Sequence, residues 1–160
     1  MIKNISNLGD AAIYCDFGSE VNKEINHEVI KYFKTLTSKN IKGITNLAPS
    51  YNKLIITFDL DVINYKELSE KIINLKLDEI NEADSKKKII PICVDEEFAL
   101  DIERVSKNTN LNIKEIYKNI LNKNFYCYMT GFVAGMPFLG DTNKSIRLKS
   151  LETPRVKVPK

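Results

Sequence analysis

Apolar and polar residues alternate from Ala11 to Phe17, placing Ile13, Cys15 and Phe17 on one face, the period of a half-buried strand. Gly18 and Ser19 end that run. From Glu20 to Ser38 the period lengthens. Val21, Ile25, Val29, Tyr32, Phe33 and Leu36 recur at helical spacing and predict an amphipathic helix. Ile41 to Ala48 predicts a short strand closed by a turn at Pro49, Ser50 and Asn52. Alternation returns through Leu54, Ile56, Phe58 and Leu60, a strand with one buried face. Asn64 followed by Glu67 resembles a capping box and opens a helix carrying Leu68, Ile72 and Leu75. The order to about residue 77 is β-α-β-β-α.

Asp78 to Lys88 is polar, charged and without periodicity, so it reads as a linker with a domain boundary near Lys88. The chain then divides into a domain over 1–88 and a second over 89–160. In the second, Ile89 to Val94 predicts a buried strand, with Pro91 marking an edge position. Phe98, Ile102 and Val105 mark a short helix. Asn112 with Glu115 caps another, buried through Ile113, Ile116, Tyr117 and Ile120. A strand over Tyr126–Thr130 runs into Gly131, Gly135, Pro137 and Gly140, interleaved with Phe132 and Phe138. Glycine allows positive φ or close approach, and proline fixes φ. Such a loop either packs inward between strands or faces a ligand or partner, and the residues leave both open. Thr153 to Pro159 reads as an extended piece with alternating Val156 and Val158.

Composition changes this picture little. With 43% hydrophobic and 28% charged residues the chain is that of a folded protein, and 160 residues suffice for a real core. A net charge of +3, from 24 Lys and Arg against 21 Asp and Glu, is too balanced for a nucleic-acid surface. Lys86–Lys88 reads as a solvated linker. Cys15, Cys93 and Cys127 form no CxxC pair and each falls in an apolar, strand-like stretch as a small hydrophobe. Lys3 and Asn4 interrupt any leader, and no apolar run is long enough to span a membrane. A reduced, cytoplasmic protein is expected.

Familiar catalytic constellations are missing. His27, the single histidine, falls off the apolar face of its helix, so no metal site is expected. No nucleophile elbow, Walker loop or dinucleotide fingerprint occurs, and the spacing of Gly131, Gly135 and Gly140 fits none of those phosphate loops. Glu96 with Glu97, and Asp101 with Glu103, read as helix-start carboxylates favoured by the dipole. Arg155, in Thr-Pro-Arg, is either a plain surface arginine or a stiffened fork ready for a carboxylate.

A run of short motifs in fixed order carries a resemblance over almost the whole chain. They are Gly9-Asp10-Ala11-Ala12, Pro49-Ser50-Tyr51, Ile90-Pro91-Ile92-Cys93, Asp101-Ile102-Glu103-Arg104-Val105, Tyr128-Met129-Thr130-Gly131-Phe132, Gly135-Met136-Pro137-Phe138-Leu139-Gly140 and Thr153-Pro154-Arg155. The sequence resembles the family that holds the B-type subunit of 5-oxoprolinase, allophanate hydrolase subunit 1 and the sporulation-kinase inhibitors. The resemblance implies an α+β protein in which a small β-α-β-β-α domain precedes a cyclophilin-like β-barrel domain. It implies ATP-dependent opening of 5-oxoproline to glutamate together with 5-oxoprolinase subunits A and C, with ATP used by the assembled complex. A sister branch binds and inhibits a sensor histidine kinase, and another acts on allophanate in urea breakdown. Substrate binding would then fall to Arg155, Gly131, Phe132, Gly135, Pro137, Phe138 and Gly140, with no catalytic group assigned.

Three departures stand out. Val133-Ala134 and Met136 replace the Ala-Pro and Phe usual in the loop, and Ile120 stands where a histidine is common. Family members also continue past Pro159 with further barrel strands, so a partial barrel with exposed strand edges is expected.

Overall fold

The computed structural model describes residues 1–79 and 86–157. Its contacts divide the chain into two units: Met1–Ser85 with Cys127–Leu139, and Lys86–Tyr126 with Gly140–Lys160. Helices and antiparallel sheets are both present, an α+β composition. The sheets among the described residues are open, one of four strands and one of two, and form no closed barrel.

In the first unit a four-stranded antiparallel sheet has the order β1-β2-β4-β3, with β1 at Asn4–Asn7, β2 at Ala12–Asp16, β3 at Ile44–Pro49 and β4 at Lys53–Phe58. Ile13 lies opposite Ile56 and Cys15 opposite Leu54, so the two alternating patterns meet on one face. Helix α1 (Lys23–Lys39) contributes Val29, Tyr32 and Leu36 to that face, and α2 (Tyr65–Ile73) contributes Leu68 and Ile72. Phe17 packs edge-on against Tyr32 with ring centroids 5.3 Å apart. Each helix starts where its sequence supplies a cap: the Asn22 side chain accepts from the Ile25 amide, and that of Asn64 from the Glu67 amide.

Several expectations are corrected. The order is β-β-α-β-β-α, because Asn4–Asn7 forms a first strand despite weak β-formers. Pairing with β2 and the packing of Ile2 and Ile5 on the core override propensity there. Val21 precedes the Asn22 cap and is exposed, and Leu60 lies past the end of β4 and is also exposed. Pro49 is the last residue of β3 rather than part of the turn. A register shift between Ile44 and Asn46 bends β3, where the Thr45 and Thr57 hydroxyls meet at 2.9 Å.

The second unit holds α3 (Ile102–Thr109) and α4 (Ile113–Leu121), followed by a 3-10 turn at Lys144–Ile146 that the sequence did not signal. The full capping box of Asn112 and Glu115 forms as expected. Ile116 is buried, whereas Ile113 is exposed. Helix α3 starts at Ile102, and Phe98 sits in the preceding turn. Ile89–Val94 is not a strand: Ile89 is 90% exposed, and Cys93 is exposed with it. Thr153–Lys157 carries no strand and Val156 is exposed, while Val158 and Pro159 lie outside the described residues. Part of the 78–88 linker also lies outside them.

Candidate functional site

The glycine-rich segment is a hairpin. Strand β5 (Tyr126–Thr130) turns back into β6 (Pro137–Gly140). The turn closes through the Gly131 amide on the Met136 carbonyl at 3.1 Å, the Val133 amide on the Gly131 carbonyl at 2.8 Å and the Met136 amide on the Val133 carbonyl at 3.2 Å. Gly135 has φ of 80°, which glycine tolerates freely, but Phe132 adopts φ of 65°, a strained choice for an aromatic residue. The Phe132 ring gains nothing from burial in return, being 92% exposed.

The base of the hairpin is held firmly within the first unit. Asn26, 1% exposed on α1, directs its side-chain amide at the carbonyls of Ser50, Tyr51 and Tyr128, at 3.0, 2.9 and 3.1 Å. Tyr51 stacks near Tyr128 with centroids 5.5 Å apart and meets Phe138 edge-on at 6.3 Å. The Ser50 hydroxyl lies 3.3 Å from the Met129 sulfur. The Pro49-Ser50-Tyr51 motif is thus a platform for the hairpin. Asn26 was missed by sequence reasoning, although a polar residue three positions before Val29 on an apolar stripe was a usable signal.

Arg155 belongs to the second unit, where its guanidinium donates two hydrogen bonds to Asp101, from Nη1 to Oδ2 at 2.8 Å and from Nη2 to Oδ1 at 2.9 Å. This is the fork geometry by which arginine holds carboxylates. Arg104 Nε also donates to Asp101 Oδ1 at 3.2 Å, and its Nη1 donates to the Lys149 carbonyl at 3.2 Å. Asp101 occupies the N-cap of α3 yet makes no capping bond, because both of its oxygens face guanidinium groups. Beside the pair lies a cleft of about 500 Å³, walled by Ile92, Phe98, Ile102, Ile116, Tyr117 and Ile146 among others. The Tyr117 hydroxyl donates to the Val94 carbonyl at 3.0 Å and ties α4 to the segment before α3.

The hydrogen bonds from Arg155 hold the Asp101 carboxyl below its usual range, with the charge of Arg155 and then Arg104 adding to the effect. Asp101 raises Arg155 in turn. A carboxylate depressed in the folded state contributes stability above its unfolded value and loses it as pH falls through the folded value. The pair is therefore expected to persist through neutral pH and to open only below about pH 4, the ordinary carboxylate range. Carbon-13 shifts of the Asp101 carboxyl check this, and a midpoint above that range refutes it.

The sequence candidates thus fall into two groups. Gly131, Phe132, Gly135, Pro137 and Phe138 lie on the hairpin in the first unit, whereas Gly140, which ends β6, and Arg155 count with the second. His27 is half-buried on α1, and no cluster of three or more potential metal ligands occurs among the described residues. In the hairpin turn the amides of Gly131, Val133 and Met136 are bonded to carbonyls of the turn itself.

Buried Cys15 is inert: its thiol is pushed up to about 12 by burial in β2. Asp16, by contrast, is lowered by the Lys53 ammonium and the Gly18 amide, a structural contact at the end of the same strand.

Comparisons with known proteins give a consistent result. Residues 3–160 match the family model described as carboxyltransferase domain, subdomain C and D. A curated relative, the B-type subunit of 5-oxoprolinase from Bacillus subtilis (strain 168), is 30% identical over 97% of this chain and 70% of its own length. Among solved structures, TTHA0988 superposes with a TM-score of 0.75 at 21% identity, covering 92% of this chain but 29% of the other. The urea amidolyase of K. lactis gives a TM-score of 0.54 at 14% identity over 79% of this chain and 9% of its own length. These two likenesses concern the fold alone, and the chain spans under a third of either solved protein. A family match running from residue 3 to residue 160, joined to a relative 30% identical across nearly the whole chain, makes this protein a member of the carboxyltransferase-domain family that includes the B-type subunit of 5-oxoprolinase.

Proposed function

We propose that the chain is the B-type subunit of an ATP-dependent 5-oxoprolinase, a cytoplasmic enzyme that opens 5-oxo-L-proline to L-glutamate. The observation carrying this reading is the 30% identity to the B-type subunit from Bacillus subtilis across 97% of the chain. The lactam is a stable amide, so its hydrolysis draws on ATP. The chain's own contribution is to bind and orient. Arg155 takes the substrate carboxylate through the fork it presents, and the hairpin segment from Gly131 to Gly140 offers a binding surface of its own.

In this reading ATP is used by the assembled complex. Subunits A and C complete the enzyme, and the second half of this chain forms part of a cyclophilin-like barrel. The exposed apolar residues Ile89, Ile90 and Ile92 favour such an assembly, since contiguous exposed apolar surface marks interaction sites.

Co-expression with candidate subunits A and C tests the proposal. The chain is expected to co-purify with them, and the complex to hydrolyse ATP faster when 5-oxo-L-proline is added. Within that complex Arg155→Ala should raise the KM for 5-oxoproline about ten- to hundredfold, the loss of a bidentate charge-assisted contact. Failure both to co-purify and to show 5-oxoproline-stimulated ATP hydrolysis overturns the reading. Capture of a sensor histidine kinase in place of those partners would move the chain to the inhibitor branch.

A further inference from the structure

The ion pair that lines the second unit's cleft joins an arginine to a carboxylate of the same chain. Arg155 already grips a carboxylate in the geometry it would use for a ligand, at 2.8 and 2.9 Å, and that carboxylate belongs to the chain itself. Both partners are partly open to solvent, with side-chain exposures of 33% and 37%. They line the same cleft, whose volume of about 500 Å³ falls within the range of roughly 300–1,000 Å³ typical of small-ligand pockets. The other wall residues are mainly apolar, and the polar groups among them are engaged: the Tyr117 hydroxyl with the Val94 carbonyl, and the Cys93 thiol with Asp95.

We propose that Asp101 is an internal stand-in for a ligand carboxylate, a latch that occupies Arg155 until a monocarboxylate with a compact apolar body enters the cleft and replaces it. Arg104 makes the exchange feasible. Its Nε already donates to Asp101 Oδ1 at 3.2 Å while its Nη1 holds the Lys149 carbonyl, so the released carboxylate keeps a cation. Arg155 exchanges one carboxylate for another and retains its two charge-assisted bonds. The net gain then comes from the apolar body against Phe98, Ile102 and Ile116, and a neutral ligand has no means of displacing Asp101. The latch selects for charge as well as shape.

This inference rests on the reading of Arg155 as the carboxylate-binding group, and its test separates the two. Isothermal titration of the full chain uses cyclopentanecarboxylate, cyclopentanecarboxamide and 5-oxo-L-proline as probes. The carboxylate is expected to bind and the carboxamide to give no heat. Asp101→Asn should tighten the carboxylate about fivefold, as expected for removal of a partly exposed competing ion pair. Arg155→Gln should abolish binding. Unchanged or weaker binding to folded Asp101→Asn, or a carboxamide that binds as well as the carboxylate, overturns the latch.

Nitrogen-15 spectra of the arginine Nε groups in the unaltered protein give a second readout that needs no variant. Saturating carboxylate should move the Arg155 signal and leave Arg104 bonded, and an unmoved Arg155 signal overturns the proposal. If Asp101 gates cyclopentanecarboxylate while 5-oxo-L-proline fails to bind, the latch stands and the assignment of the 5-oxoproline carboxylate to Arg155 falls.

Discussion

Gly43→Ala is expected to destabilise the first unit by roughly 2–6 kcal/mol, a large share of the ~5–15 kcal/mol that holds a typical domain together. Two effects add. Gly43 leads into β3 with φ of 99°, a conformation that L-residues adopt only under strain of about 1–3 kcal/mol. A methyl group there would lie 2.5 Å from Ile63 Cγ2, 3.1 Å from Ile63 Cβ and 3.2 Å from Val62 Cγ1. Ile63 belongs to the core and is 5% exposed, so it has little room to retreat, and overpacking of this kind costs about 1–3 kcal/mol. The Gly43 carbonyl also accepts from the Asp59 amide at 2.8 Å, which limits how far the backbone can move.

Gly9→Ala is the matched control. Its φ of 64° imposes strain, but an added methyl meets nothing within 4 Å, so only about 1–2 kcal/mol should be lost. Urea unfolding of the two variants measures the difference. Equal losses would show that the contact with Ile63 is relieved without cost.

Asn26→Leu should have a comparable effect by a different route. The leucine is of similar size and apolar, so packing is roughly conserved while the donor is lost. Three buried or half-buried carbonyls, of Ser50, Tyr51 and Tyr128, then lose a hydrogen bond from the same amide. Withdrawing a partner from a buried polar group costs about 1–3 kcal/mol. The amide has two hydrogens to share among the three, so the total should be roughly 3 kcal/mol rather than a threefold sum. The local signature is hydrogen exchange in β5, where the amides of Tyr128 and Met129 should exchange about a hundredfold faster, 1.4 kcal/mol corresponding to each tenfold. Unchanged exchange in β5 would show that the tyrosine and phenylalanine rings hold the hairpin without Asn26.

The parts of the fold legible in the sequence were those where one face is buried. Ile13, Cys15 and Phe17, and then Leu54, Ile56 and Phe58, alternate because every second side chain enters the core, and all six are buried. The caps at Asn64 and Asn112 were legible because their chemistry is local. Strand β1 was not, since Asn4, Ser6 and Asn7 pair for tertiary reasons that no propensity records. Ile89–Val94 misled in the opposite direction: a short apolar run states hydrophobicity without stating burial, and here most of its side chains are exposed.

The candidate site divides along the same line. The readiness of Arg155 for a carboxylate could be read from its own chemistry, while the identity of that carboxylate could not. Asp101 lies 54 residues earlier, and only folding brings the two into register.

The discontinuity of the first unit has a consequence for how the protein is made. Its sheet and two helices are translated by residue 73, yet the hairpin segment Cys127–Leu139, which supplies ring partners for Tyr51 and an acceptor for Asn26, follows only after more than forty intervening residues. A nascent chain leaving the ribosome therefore carries Asn26 and Tyr51 for some time before their partners emerge, and at about 5–20 residues per second that interval lasts seconds. The same order governs dissection: a fragment ending at residue 85 keeps the sheet but loses the strand that caps its polar hub, so the first unit is better cut from the protein as a circular permutant than as an N-terminal piece.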